Sequence, residues 1–197
     1  MTLGKIIKSN SHTDYVCQIF GPGEIPDPPH RYDHAFGTFV RVALGDDGWL
    51  IGLIYDTVLF NPEFGRLGPR LSPETELAVF SPDYLVEKAV LVGITAVGTL
   101  DAADTPSQGV PPVAATSDAP VERMNGDQIR VFHSGQPTPQ LDYVPLLLAQ
   151  DSPRALPLLL SVTDQLIDLF PEHVRLLSVL RGDLAWKTQV SPLGGAR

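Results

Sequence analysis

The segment from His30 to His34 concentrates two imidazoles and the Asp33 carboxylate within a few residues. Imidazole and carboxylate groups are metal ligands and could meet at one ion if the segment were helical. The segment follows Pro28 and Pro29, however, and leads directly into a predicted strand. In an extended chain the two histidines stand about 13 Å apart, at about 3.3 Å per residue, which is too far for one ion. The sequence therefore predicts a hydrogen-bonded loop and no metal site.

A second group of charged side chains lies at one end of the β-barrel that the strand pattern predicts. Arginine presents a planar fork that binds carboxylate or phosphate groups. A small-ligand site or a small active site at this end is one interpretation, and loop-ordering salt bridges are the other. The candidate residues of this ligand site are His34, Asp56, Arg66 and Arg70.

The loop that carries the two arginines also mixes apolar and polar side chains, as protein interfaces do. Closer to the end of the sequence, a tryptophan offers a large aromatic anchor of the kind enriched at binding hot spots. We expect these residues to contact a partner protein or a second copy of the chain. The interface candidates are Asn61, Phe64, Arg66, Leu67, Arg70 and Trp186.

The sequence contains none of the common catalytic motifs. It has no Gly-x-x-x-x-Gly-Lys run to hold phosphates, no Gly-x-Ser-x-Gly elbow to carry a nucleophile, and no His-Glu-x-x-His or Cys-x-x-Cys pair to bind zinc. The histidines His12, His133 and His173 have no visible partners and are expected at surface or capping positions. Cys17 lies in an alternating segment and is expected to be a small buried residue. We predict a non-catalytic protein that needs no cofactor.

Composition and charge restrict the partners further. Of the 197 residues, 43% are hydrophobic and 19% are charged, which is typical of a globular protein. The formal net charge of -9 provides no general attraction to nucleic-acid phosphates or anionic lipids. No apolar run approaches the roughly eighteen residues of a membrane-spanning helix. Because of the charge and this missing run, we expect neither nucleic acid nor a membrane as a partner. Because the single cysteine cannot form an internal disulfide, we expect a reducing compartment and a cytoplasmic protein.

The elements that must position these residues begin with a series of short strands in the first hundred residues. The strands are rich in β-forming residues, are separated by turn signals, and have no long helical crossover between them. About six such strands predict a small closed antiparallel β-barrel. The predicted strands are residues 3–8, 14–20, 36–44, 49–59, 76–80 and 87–100.

Glycines mark two special backbone positions in this series. The sequence Gly45-Asp46-Asp47-Gly48 supplies the left-handed conformations that a tight hairpin turn requires. Gly52, inside the following strand, suits a bulge or bend where a barrel turns its corner.

The second half of the chain changes in character. Small, polar and proline residues over 101–120 predict a linker or a surface strap. From about residue 141 to 184, apolar residues recur at helical spacing, and prolines near helix starts divide this stretch into a helical hairpin or small bundle. These prolines are Pro145, Pro157 and Pro171. The predicted fold class is therefore α+β, with a barrel over residues 1–100, a linker over 101–120 and a helical region over 121–190.

Three strand segments resemble those of the HAS barrel, which begins HerA-type DNA-translocating ATPases and ATP-synthase catalytic subunits. They are Leu3-Gly4-Lys5-Ile6, Phe36-Gly37-Thr38-Phe39-Val40 and Ile51-Gly52-Leu53-Ile54-Tyr55. The resemblance covers roughly residues 1–100 and implies a barrel that assembles in rings or docks an accessory protein. The chain has no Walker motifs or RecA-like domain, so no ATPase activity is carried over. What the resemblance implies is an oligomerising or partner-binding surface, accessory to a separate HerA-like ATPase.

Overall fold

A computed structural model describes residues 1–60, 89–135, 137–150 and 152–190. It confirms the predicted α+β class, with a barrel first and helices after it. The strands are β1 (Thr2–Ser9), β2 (Asp14–Ile19), β3 (Phe39–Ala43), β4 (Trp49–Phe60), β5 (Ala89–Leu100), β6 (Pro106–Gln108) and β7 (Pro120–Arg123). The helices are α1 (Gly126–Phe132), α2 (Tyr143–Ala149), α3 (Ala155–Leu169) and α4 (Val174–Val190), and single 3-10 turns span Gly45–Asp47 and Pro171–His173.

The barrel is a closed ring of six antiparallel strands. Its order is β2-β1-β7-β3-β4-β5, and β5 pairs back with β2 to complete the ring. The short strand β6 pairs with the far end of β5, beyond the part that β2 covers. Closure leaves no unpaired sheet edge around most of the ring, which removes the usual template for unwanted strand addition.

The β3–β4 hairpin confirms the two predictions made from glycine positions. Gly45 and Gly48 have φ angles of 67° and 96°, which residues with a side chain rarely adopt. Gly52 lies at a register shift between β4 and β5, as expected of a bulge. An added Cβ at Gly52 would stand only 2.5 Å from the Ile94 Cγ2, so the two strands can approach closely only without it.

Alternate residues of each strand face the interior of the barrel, which apolar side chains fill. Period-two alternation is what places them there, since successive side chains of a strand point to opposite faces. The interior is sealed from solvent along its length. Its largest members are Leu3, Ile6, Tyr15, Leu50, Ile54 and Ile94.

A second core lies between the outer wall of the barrel and the helices. The outward residues Phe39, Ile51 and Leu53 of β3 and β4 pack with Leu159 and Val162 of α3. The helical prediction is confirmed, because Pro145 and Pro157 fall in the first turns of α2 and α3 and Pro171 begins the turn before α4. An early proline is compatible with a helix because the first turn has no intrahelical partners for its N–H groups.

The borders drawn from the sequence differ from the architecture. Strand β7, at Pro120–Arg123, is a member of the barrel ring although it follows the predicted end of the barrel at residue 100. The predicted linker over 101–120 contains β6, and the helices share a core with the barrel wall. The described chain is thus one packed unit in which the strap returns to complete the barrel.

The predicted strand over 76–80 lies outside the described residues. None of the helices described is both long enough and apolar enough to cross a membrane.

Candidate functional site

The last helix has two apolar sides, of which only one is covered. Leu177 and Leu184 are buried, and Leu180 packs beside them against the core that α3 closes. The exposed side carries Leu176, Val179 and Trp186, with 49%, 65% and 62% of their surface exposed. These three side chains follow one another at three- and seven-residue spacing, which places them on one side of a helix. We call this set the outer α4 face.

An ion pair joins α4 to α3, and the opposite side of α4 stays uncovered. The Arg181 guanidinium pairs with the Asp164 carboxylate of α3, and the pair raises the pKa of the guanidinium further. At Gly182, in the middle of α4, no atom of a neighbouring described residue lies within 4 Å of where a Cβ would stand. The α4 backbone is therefore open at Gly182, beside the outer α4 face.

Trp186 is the one predicted interface residue that the structure describes, and it is exposed. The other interface candidates lie outside the described residues, as do two members of the predicted ligand site. They are Asn61, Phe64, Arg66, Leu67 and Arg70, of which Arg66 and Arg70 belong to both sets.

The two described members of the predicted ligand site have separate surroundings. The Asp56 carboxylate lies 3.1 Å from the Arg154 guanidinium at the start of α3. His34 lies in the loop before β3 and shares no hydrogen bond or ion pair with Asp56 in the described part of the chain. The sequence does not identify Arg154 as the partner of Asp56, because no local pattern links it to β4, about a hundred residues earlier.

Arg154, the ion-pair partner of Asp56, lines a cleft between the barrel and the helices, which we call the barrel–helix cleft. It has a volume of about 450 Å³. Asp14 of β2, Tyr55 of β4 and Thr95 of β5 line its barrel side, and the start of α3 lines the other. All three barrel residues point outward, because they alternate with the residues that fill the interior.

The Tyr55 side chain lies flat across a neighbouring strand and ends at a carboxylate. Its hydroxyl donates a 2.7 Å hydrogen bond to the Asp14 Oδ1. A Cβ at Gly93 would stand 2.8 Å from the Tyr55 ring, so the missing side chain of Gly93 makes room for it. Burial and the hydrogen bond to Asp14 together raise the pKa of the Tyr55 hydroxyl well above its usual range. The phenol therefore stays protonated and acts as a hydrogen-bond donor.

His133 takes a capping position, one of the two expected for it, but its side chain is buried and does not lie at the surface. Only 1% of its surface is exposed, and the rings of Phe39, Phe132, Tyr143 and Phe170 surround it with centroids 5.2 to 6.2 Å away. The residue ends α1, where its main-chain N–H caps the helix, but its side chain turns into the second core. The apolar residues around it, and not its own type, determine its burial.

The hydrogen bonds of His133 fix its protonation. Its Nδ1 lies 2.7 Å from the Ile129 carbonyl oxygen, which can only accept, so Nδ1 carries the proton. Its Nε2, 3.0 Å from the Tyr143 hydroxyl, is then the acceptor. Burial lowers the pKa of His133 to about 4, against an ordinary value of 6.5. The neutral imidazole is therefore a structural link between α1 and α2.

The His30–His34 segment forms a turn held by Asp33. The Asp33 carboxylate accepts from the His30 main-chain N–H at 2.8 Å and from Arg123 at 2.7 Å. The His34 Nδ1 is buried and has no hydrogen-bond partner among the residues that the structure describes, and burial lowers the pKa of this imidazole despite the nearby Asp33. Within the described ranges no three metal-ligating side chains converge.

Cys17 faces the interior of the barrel and is fully buried, as expected. Burial raises the pKa of its thiol to about 12. The thiol is therefore protonated at neutral pH, and this side chain serves packing.

Comparison with known proteins gives a family. No curated protein matches this sequence. A family model described as "Domain of unknown function (DUF8166)" matches residues 1–193, and the chain belongs to that family.

Proposed function

We propose that this protein is a non-catalytic assembly module that pairs with a second copy of itself through the outer α4 face. The observation that carries the proposal is the exposure of Trp186 together with Leu176 and Val179 on one side of a helix. A tryptophan with most of its surface in water is unfavourable in a monomer, and tryptophan leads the residues enriched at binding hot spots.

A helix face of this kind suits an isologous contact, in which the same surface of two copies meets across a two-fold axis. Gly182 supports the proposal because it allows the backbone of another helix to approach closely. Without such a contact, a glycine in a helix interior only lowers stability, by about 1 kcal/mol relative to alanine. A standard interface covers roughly 800 Å² of each partner. Since three side chains cover only part of that area, we expect a reversible dimer whose fraction rises with protein concentration.

Sedimentation velocity of the full chain and of Trp186→Ala tests the proposal. We expect the unmodified protein to approach twice its 21.3 kDa mass. The variant should have a dimer dissociation constant about 1,000-fold higher, because a two-fold dimer loses a hot spot of about 2 kcal/mol from each copy. Val174→Ala is the matched control, because Val174 is an exposed apolar residue of α4 that lies away from the outer α4 face. Equal association of all three proteins would refute the proposal.

We further propose that the assembled protein is cytoplasmic and accessory to a separate HerA-like ATPase. The resemblance of the strand segments to the HAS barrel supports this role, and a single cysteine, which cannot form an internal disulfide, suits a reducing compartment. Co-expression with a HerA-like ATPase from the same genome, followed by size-exclusion chromatography, tests it. Co-elution in a fixed ratio is expected, and separate elution at all salt concentrations would exclude the accessory role.

A further inference from the structure

We propose that the barrel–helix cleft binds a small neutral polyhydroxylated molecule and recognises a pair of adjacent hydroxyl groups. The described residues that line the cleft include none from α4, so the cleft shares no residue with the outer α4 face. The site is therefore independent of the proposed assembly. Its volume of about 450 Å³ falls in the usual range of small-ligand sites.

The Asp14 carboxylate is the central acceptor of the site. Its Oδ1 accepts from the Tyr55 hydroxyl at 2.7 Å, and its Oδ2 accepts from the Asn10 amide at 3.1 Å. Each carboxylate oxygen has two acceptor positions, so the described hydrogen bonds leave one on each oxygen. No cation pairs with Asp14 in the described part of the chain. Two neighbouring acceptor positions match two neighbouring hydroxyl donors, and the two protein hydrogen bonds hold the carboxylate in place.

Thr95 supplies a second polar group. It is only 6% exposed, and it lines the cleft. The β2–β5 register places Thr95 directly opposite Asp14, where side chains stand about 5 Å apart. A ligand hydroxyl bound to Asp14 is within reach of Thr95.

The charged and apolar residues that line the barrel–helix cleft determine the class of ligand. Arg154 is engaged by Asp56, so the described residues that line the cleft offer no uncompensated cation to a phosphate or carboxylate, and the carboxylate of Asp14 would repel either. Leu147 and Leu158 line the helix side and can cover the C–H face of a sugar ring. A neutral diol fits these surroundings. Such a diol occurs in a free sugar and in the ribose of a nucleoside.

Saturation-transfer NMR on the full chain, with D-glucose, D-ribose and adenosine as separate probes, tests the proposal. Transfer to any of the three is expected. Adenosine alone would assign the site to nucleosides, and glucose or ribose without adenosine would assign it to free sugars. No transfer from any probe at millimolar concentration would overturn the proposal, as would binding of n-butylamine in place of all three.

Variants locate the binding. Asp14→Asn is expected to weaken it at least tenfold and Thr95→Val about fivefold, the usual effects of losing a charged and a neutral hydrogen-bond partner. Thr163→Val is the matched control, because Thr163 is another buried threonine whose hydroxyl bonds Leu159 within α3, away from the cleft. Should Asp14→Asn fail to fold by circular dichroism, Gln150→Ala at the exposed rim replaces it and is expected to weaken binding too. Unchanged affinity in the folded cleft variants would overturn the proposal.

Discussion

Lowering the pH from 7 to 5 is expected to destabilise the protein through His133, and the structure gives the size of the effect. The folded imidazole has a pKa of about 4, and in the unfolded chain it returns to its ordinary value of 6.5. Below pH 6.5 the unfolded state therefore binds more protons than the folded state. Stability is fully present above the unfolded pKa, falls as the pH drops, and has lost the whole contribution near the folded pKa.

The magnitude follows from the difference between the two pKa values. At 1.36 kcal/mol per pKa unit, the full contribution is about 3 kcal/mol, and about 2 kcal/mol of it is lost between pH 7 and pH 5. This is a large share of the 5 to 15 kcal/mol that typically separates folded from unfolded domains.

The assay is urea unfolding, followed by circular dichroism, of the unmodified protein and His133→Gln at both pH values. Glutamine keeps a donor for the Ile129 carbonyl and an acceptor for the Tyr143 hydroxyl but does not titrate. The unmodified protein should lose about 2 kcal/mol more than His133→Gln. His30→Gln, which removes an exposed imidazole, is the control and should behave as the unmodified protein does. Equal losses in the unmodified protein and His133→Gln would refute the assignment of a buried neutral imidazole.

Three further experiments, two substitutions and one labelling reaction, test other parts of the structure. Gly93→Ala forces a methyl group against the Tyr55 ring and should destabilise the protein by about 1 to 3 kcal/mol in urea unfolding, whereas unchanged stability would mean that the ring does not lie there. Gly182→Ala meets no neighbour and should raise the stability of the monomer by about 1 kcal/mol, measured below the concentration at which the protein associates; a loss would show that the position is not in an open helix interior. Cys17 should react with iodoacetamide at pH 8 only in denaturant, because its thiol is buried and protonated, and rapid labelling of the folded protein would contradict a sealed barrel.

Much of the fold could be predicted because local signals and tertiary packing agree. The turn between β3 and β4 depends on Gly45 and Gly48, whose positive φ angles the sequence reveals directly. The early prolines marked helix starts for the same reason, since the backbone restriction of proline is local. Alternation of apolar residues placed Cys17 inside the barrel.

What could not be predicted depends on contacts between distant parts of the chain. Strand β7 has four residues and begins with Pro120, so its place in the ring comes from pairing with β1 and β3 and not from its own pattern. Arg154 and Asp56 meet only because α3 packs on β4. His133 lies at a helix end that looks polar in the sequence, and four aromatic rings from separate elements enclose it.

The most direct measurement of the proposed assembly is an isotope-filtered NOE experiment on an equal mixture of ¹⁵N-labelled and ¹³C-labelled chains. Contacts detected this way join two different molecules. We predict NOEs between the Trp186 indole N–H of one copy and the methyl groups of Leu176 or Val179 of the other. A mixture that shows no such NOEs at concentrations where the protein associates, or that shows them only at other surfaces, would contradict pairing through the outer α4 face.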